Sequence, residues 1–286
     1  AGNQDYFEAS MGYRRQWAGI KEAPKSFYAT GHTILNRPKT HQLSALRISQ
    51  TKRSKFYNTR KNLKPYFKHA LGGQLRTNEF GAFEKTEVTI TYAAHIPINQ
   101  DMYLSLGLSG GLHNYGFDQS KASVLYDNDP TYDAYAAGEN SNQLNINSGA
   151  YLYAEKFFVG YSALHILQND LALSDIQTNT EEANLSIQHY IMGGYNFQLN
   201  NDFKVTPTVL YRIAEATNQI EFGGTLTYKE EIFGGINFRN EDAISIMLGM
   251  QVNHLLRLGY SFDYTTSDLS EQSNGSHEIF IGLTLF

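Results

Sequence analysis

The residues whose types and spacing would suit catalysis are Gly107-Leu108-Ser109-Gly110-Gly111, a G-x-S-x-G pattern. In a serine hydrolase this pattern forms a sharp turn between a strand and a helix, which exposes the hydroxyl for attack. Here it lies inside 101–114, where Met102, Leu104, Leu106, Leu108 and Leu112 alternate with Tyr103, Ser105, Gly107, Ser109, Gly111 and His113. Alternation at period two is a strand signal, and a mid-strand serine has no elbow to activate it. Small residues crowding one strand face explain the pattern better. The nine histidines form no H-E-x-x-H. His95 and His113 share a face on neighbouring predicted strands, but two imidazoles are an incomplete ligand set. Asp127-Asn128-Asp129-Pro130 with Asp133 gathers oxygen ligands, yet it lacks the glycine and closing glutamate of a calcium loop. The expectation is a protein with no catalytic residue, metal or cofactor, and not an enzyme.

The elements that carry these residues are more informative. Period-two alternation recurs at 5–17, 26–35, 68–77, 86–97, 101–114, 144–154, 156–167, 187–199, 202–214, 218–228, 230–239, 242–252, 254–265 and 276–286. In 255–265, Leu256, Leu258, Tyr260, Phe262 and Tyr264 share one face; Arg257, Gly259, Ser261 and Asp263 share the other. Segments of about ten residues with one oily and one polar face, separated by turn residues, are the signature of a transmembrane β-barrel. The expected fold is all-β: a transmembrane antiparallel barrel of about fourteen strands in the outer membrane. Only a closed sheet satisfies every backbone group in lipid.

Composition agrees. No run of 18 apolar residues exists, so a membrane helix is excluded. A mean hydropathy of −0.41 fits a wall whose inner half is wet. Twenty Tyr and 17 Phe suit two interfacial girdles, and the lack of Cys removes disulfides and thiolate metal sites. Ala1-Gly2-Asn3-Gln4 lacks the features of a signal peptide, so an exported protein would be represented here in its mature form. Counting back from a periplasmic C-terminus, the short turns around 99–101, 155–156, 200–202, 229–230 and 253–254 fall on the periplasmic side. The long acidic loops 115–143, 168–186 and 266–275 fall opposite. Both termini are then periplasmic. Lumen parity places Glu8, Arg14, Lys204, Arg212, Glu221, Arg239, Arg257 and Asp263 inside, and mixed signs favour ion pairs over a conduction path of one charge. The last strand is apolar on both faces, Phe280 and Phe286 on one and Ile279 to Leu285 on the other, so pattern alone leaves its orientation open.

One short-turn connection breaks the rule. Residues 36–67 contain nine basic residues (Arg37, Lys39, Arg47, Lys52, Arg53, Lys55, Arg60, Lys61 and Lys64) and no Asp or Glu. We read the chain as a single barrel, 1–286, with a basic periplasmic insertion here; an extra hairpin making sixteen strands is the alternative. Tyr57, Tyr66 and Phe67 among the charges would suit nucleic acid. In the periplasm, anionic head groups, cell-wall polymer or an acidic partner are better matches, and no nucleic acid is expected.

Two blocks resemble a known family. The first is Ala1-Gly2-Asn3 with Tyr13-Arg14-Arg15-Gln16-Trp17-Ala18-Gly19-Ile20 and Ala23-Pro24-Lys25. The second is Leu258-Gly259-Tyr260-Ser261-Phe262-Asp263-Tyr264-Thr265-Thr266-Ser267 with Gly275-Ser276-His277-Glu278-Ile279. Together they resemble the PorP/SprF family of outer-membrane proteins of the type IX secretion system of Bacteroidota. The resemblance implies a non-enzymatic component that anchors or assists export of a large cell-surface adhesin with a C-terminal sorting domain, as in gliding motility. It also implies contact with the periplasmic lipoproteins of that machine. Tyr13, Arg14, Gln16, Trp17, Pro24, Tyr260, Asp263, Tyr264, Gly275, His277 and Glu278 match its motifs, in structural or partner-contact roles. Arg14 would face the lumen and Trp17 the outer girdle, while Asp263 and Glu278 would hold the last loop. The basic segment departs from the family's shorter connection. A channel for small or hydrophobic solutes is the alternative function.

Overall fold

The structure, a computed structural model, describes residues 7–36, 65–122, 132, 141–168, 186–215 and 217–285. Its strands are β1 (Phe7–Arg15), β2 (Lys25–Ile34), β3 (Lys68–Phe80), β4 (Phe83–Pro97), β5 (Met102–Phe117), β6 (Ser141–Ala154) and β7 (Phe157–Leu164). The second half adds β8 (Gln188–Tyr195), its two-residue continuation β9 (Phe197–Gln198), β10 (Phe203–Ile213) and β11 (Asn218–Tyr228). The last four are β12 (Ile232–Arg239), β13 (Ala243–Gln251), β14 (Leu256–Thr265) and β15 (Ser276–Leu285). Each pairs antiparallel with its chain neighbour, and β15 pairs along its length with β1. Counting β8 and β9 as one crossing, the sheet is a closed barrel of fourteen strands. Pro207, which has no N–H to donate, lies opposite Tyr195, next to the break at Asn196.

Burial is inverted relative to a water-soluble protein. Among the described residues the buried apolar side chains are alanines and Ile34, and the largest fully buried side chain is His95. Outside, Ile90 (63%), Leu108 (59%), Ile236 (58%), Leu248 (63%) and Ile279 (58%) are exposed around the wall. Apolar exposure on this scale needs an apolar solvent. No helix among the described residues is long and apolar enough to cross a membrane; the crossing elements are the strands.

The two rims differ. One carries the chain ends, the turns at 98–101, 155–156, 199–202, 229–231 and 252–255 and both ends of the β2–β3 connection; the other, here the loop end, carries 16–24 and 266–275, the ends of the β5–β6 and β7–β8 connections, and the short β3–β4, β10–β11 and β12–β13 turns. β3 to β6 run 13–16 residues, more than the 9–11 that span a bilayer. β3 and β4 therefore rise past the expected ends at 77 and 86 to a two-residue turn, where Gly81 takes φ 59°. Above this turn Ser120 donates its N–H and hydroxyl to the Asp118 carboxyl, holding it below the usual carboxylate range.

β2 pairs directly with β3, so the segment between them adds no strand to the wall and the sixteen-strand alternative falls. Arg37 to Lys64 lie outside the described residues, as does the Asp127–Asp133 cluster. The base of the segment is clamped: Leu35 donates to the His69 carbonyl (2.7 Å), Asn36 Nδ2 to the Phe67 carbonyl (2.7 Å), and the His69 N–H to Asn36 Oδ1 (2.8 Å). It leaves the barrel at the rim that holds the chain ends.

The last strand resolves its orientation through packing. Ile279, Leu283 and Leu285 face outward. Phe280 faces the lumen, its ring lying where a Cβ on Gly259 would be, and it approaches Phe233 with ring centroids 6.2 Å apart. A glycine on the neighbouring strand makes room for an inward aromatic.

Candidate functional site in the barrel lumen

The two ends of the chain meet at the β14–β15–β1 seam. Arg14 is the eighth residue of β1 and faces the lumen, because Met11 and Tyr13 take the outer face. Its guanidinium donates to Asp263 Oδ2 at 2.6 Å and Glu278 Oε2 at 3.4 Å, and Tyr28 donates its hydroxyl to Glu278 Oε1 at 2.8 Å. The Asp263 side chain is 3% exposed. A buried carboxylate persists only when a cation and hydrogen bonds replace its water, which these residues supply.

Backbone bonds above this cluster join the first and last loops. Gln16 N–H donates to the Pro24 carbonyl (2.9 Å), Ala18 to Gly275 (2.7 Å) and Asn274 to Ala18 (2.7 Å). Trp17, at φ 48°, gives its N–H to Ser276 Oγ (3.1 Å). Gly275 takes φ 84°, and a Cβ there would press on the Asp263 carbonyl and the Phe262 ring. Left-handed backbone at so crowded a point calls for glycine.

The motif residues thus sort by face. Arg14, Asp263 and Glu278 line the lumen; Gln16, Trp17, Pro24 and Gly275 shape the loops through their backbones. Tyr13, Tyr260, Tyr264 and His277 lie on the lipid face, where Tyr260 Oη and His277 Nδ1 are 2.6 Å apart. Asp263 on β14 and Glu278 on β15, the strands that flank the last loop, both meet Arg14 on the first strand.

Two more ion-paired clusters line the lumen near the loop end. Arg239 bonds Glu221 (3.1 Å) and Asp242 (2.7 Å). Lys85 pairs with Glu87 (2.5 Å), which faces His113 (3.8 Å); His113 meets His165 edge-on at 5.4 Å, and His165 Nδ1 lies 3.2 Å from Asn145 Oδ1. Toward the other rim, Glu8 approaches His32 at 3.3 Å. Lys68 stands 4.5 Å over the Tyr103 ring, which stacks on Tyr153 beside His95. His95 and His113 are therefore not brought together, and no group of three metal-ligating side chains forms among the described residues. Ser109 accepts from Asn147 Nδ2 at 3.3 Å.

Between these layers lies a cavity of about 290 Å³ against β4 to β8. Thr91, Ser105, Gly107, Ser109, Gly149 and Gly160 form its small-residue wall, and Tyr151, Tyr190 and Met192 also line it. Sequence reasoning missed His165, Tyr28 and this cavity. Tyr28 has the right strand parity for the lumen, but nothing in the spacing of His165 points to His113.

A family model described as type IX secretion system membrane protein PorP/SprF matches residues 1–283. The chain belongs to the PorP/SprF family. A PorP/SprF barrel with an apolar outer wall is an outer-membrane component of a secretion system. No curated protein matches the chain in sequence. Solved structures share the barrel at low identity. The Acinetobacter baumannii outer membrane protein Omp33 is 9% identical with a TM-score of 0.52, covering 99% of this chain and 100% of its own. A Pseudomonas aeruginosa FadL homologue is 7% identical with a TM-score of 0.53, covering 98% and 90%. The CymD monoaromatic hydrocarbon channel is 9% identical with a TM-score of 0.50, covering 99% and 88%. At such identities the likeness is one of fold.

Proposed function

We propose that this PorP/SprF protein is a non-enzymatic outer-membrane anchor or escort for a large cell-surface adhesin. The adhesin carries a C-terminal sorting domain, and the protein serves gliding motility or surface attachment. The observation that carries this reading is the family match over 1–283. A lumen cross-linked by ion pairs of both signs supports it, since paired charges brace a wall better than they guide a solute. The loop end faces the exterior and the rim with the chain ends faces the periplasm, as in barrels with one short-turn side. Affinity purification of the full chain from native membranes in mild detergent tests the escort role. Co-recovery of an adhesin and of periplasmic lipoproteins of the secretion system is expected; recovery of neither overturns it.

On this orientation the basic segment docks an acidic periplasmic lipoprotein or membrane surface. Changing Lys52, Arg53, Lys55, Arg60 and Lys61 to Gln should weaken recovery of that partner and flatten its dependence on salt. Recovery unchanged at every ionic strength would defeat the docking role.

The cavity favours a second reading, passage of small or hydrophobic solutes. Single-channel recording in planar bilayers separates the two: a steady, large, solute-selective conductance supports a channel, and a closed barrel supports the escort.

A further inference from the structure

The outer face of the seam carries charges that neither the lumen nor the secretion role uses. β15, β1 and β2 lie side by side, and their register sets His277 directly across from Arg15 and Arg15 directly across from Lys25. Directly paired residues point to the same side of the sheet, and Tyr13, two residues from Arg15, faces lipid. The three basic side chains therefore form a row on the lipid face, at the loop-end termini of three neighbouring strands. Two residues back along each strand the row is Ile279, Tyr13 and Phe27, continued on β14 by Tyr260. This apolar and aromatic row belongs at the membrane boundary, and the basic row lies about 7 Å further out, at head-group level.

Like charges directly opposite one another destabilise a sheet unless something neutralises them. Among the described residues neither Arg15 nor Lys25 has an ion-pair partner. Glu79, directly across from Lys25, has Lys121 at 3.8 Å. His277 has Tyr260 Oη at Nδ1, which leaves Nε2 pointing to other partners. Glu79 and, beyond it, Glu84 continue this row past Lys25, but Arg15 has only Lys25 and His277 across from it, which leaves its guanidinium open to an anion from outside the barrel.

We infer that this row binds the phosphate groups of a lipid A-type glycolipid in the leaflet at the loop end. Arg15 offers a planar fork suited to two phosphate oxygens, and Lys25 and His277 flank it as further donors. The apolar and aromatic row beneath receives the first methylenes of the acyl chains. Placing this lipid at the loop end rests on the proposed orientation of the barrel, whereas binding in micelles does not depend on it.

The test is retention of lipid A by the full-length barrel in detergent, read by native mass spectrometry. Arg15→Gln with Lys25→Gln should lower retention about thirtyfold, from about 1 kcal/mol per basic side chain near a charged lipid surface. Arg15→Lys with Lys25→Arg should keep most of it, and Lys156→Gln at the other rim should change nothing. Heat-modifiable gel migration confirms that each variant is folded. If the double Gln variant does not fold, a sodium chloride titration of the unaltered protein carries the test, and lipid A should leave as salt rises. Equal retention of dephosphorylated lipid A, displacement by millimolar inorganic phosphate, or undiminished retention in the folded double variant would each overturn the inference.

Discussion

Arg14→Met should lower the unfolding free energy of the barrel by about 3–5 kcal/mol, the usual consequence of stripping one partner from a buried ion pair. The substitution keeps an unbranched apolar stem but removes the guanidinium, which leaves Asp263, at 3% exposure, facing Glu278 with no cation between them. Tyr28 can satisfy only one oxygen of Glu278. Urea titration in lipid vesicles measures the loss. Trp17, the single tryptophan, sits three residues from Arg14 and its backbone N–H bonds Ser276, so its emission reports on the surroundings of the seam. Combining Arg14→Met with Asp263→Asn and Glu278→Gln removes the uncompensated charge and should recover most of the stability. An unchanged midpoint in the single variant, or no recovery in the triple, would show that the network does not brace the seam.

The second large effect concerns the outer wall. Leu248→Arg should cost about 2–4 kcal/mol in a bilayer, the range for a cation on the lipid face near the midplane of a barrel. Leu248 is 63% exposed in β13, between Ile246 and Met250 on the same face. Its neighbour Met247 faces the lumen, where its methyl group approaches Gly235. Met247→Arg should therefore be tolerated within about 1 kcal/mol, because a lumen cation stays hydrated. The same change one residue apart isolates the face from the residue type. Equal costs at the two positions would mean that the exposed apolar band does not meet lipid.

Legibility in the sequence followed the solvent on each face. Where a strand has lipid on one side and water on the other, period-two alternation sets its existence and its orientation. β5, β13 and β14 are of this kind, and their outward residues are those expected. Where that contrast fades, so does the signal. β3 and β4 run to Phe80 and Phe83 because their tips stand above the lipid and need no apolar face. There Glu79 and Glu84 take outward positions that pattern reads as loop. On β15 both faces are largely apolar, and packing decides which turns inward: Glu278 meets Arg14 in the lumen, and Gly259 leaves room there for Phe280.

The candidate site was legible in its parts and not in its assembly. Strand parity put Arg14 and Asp263 in the lumen, but no local rule joins residues 249 or 264 positions apart. Their meeting follows from closure, which makes the first and last strands neighbours and brings both motif blocks to one rim. The pairing of His113 with His165 likewise depends on where the chain turns after β7, at φ 59°.

From sequence alone came a many-stranded membrane barrel, the inner and outer faces of most strands, and the family. Those properties are local, because each strand is written to suit lipid on one side and water on the other. The tertiary structure alone decided which lumen charges neutralise one another, where the cavity lies, and that Arg15, Lys25 and His277 stand in one row. Those are properties of register, and register is settled only when the sheet closes and every strand must satisfy two neighbours at once.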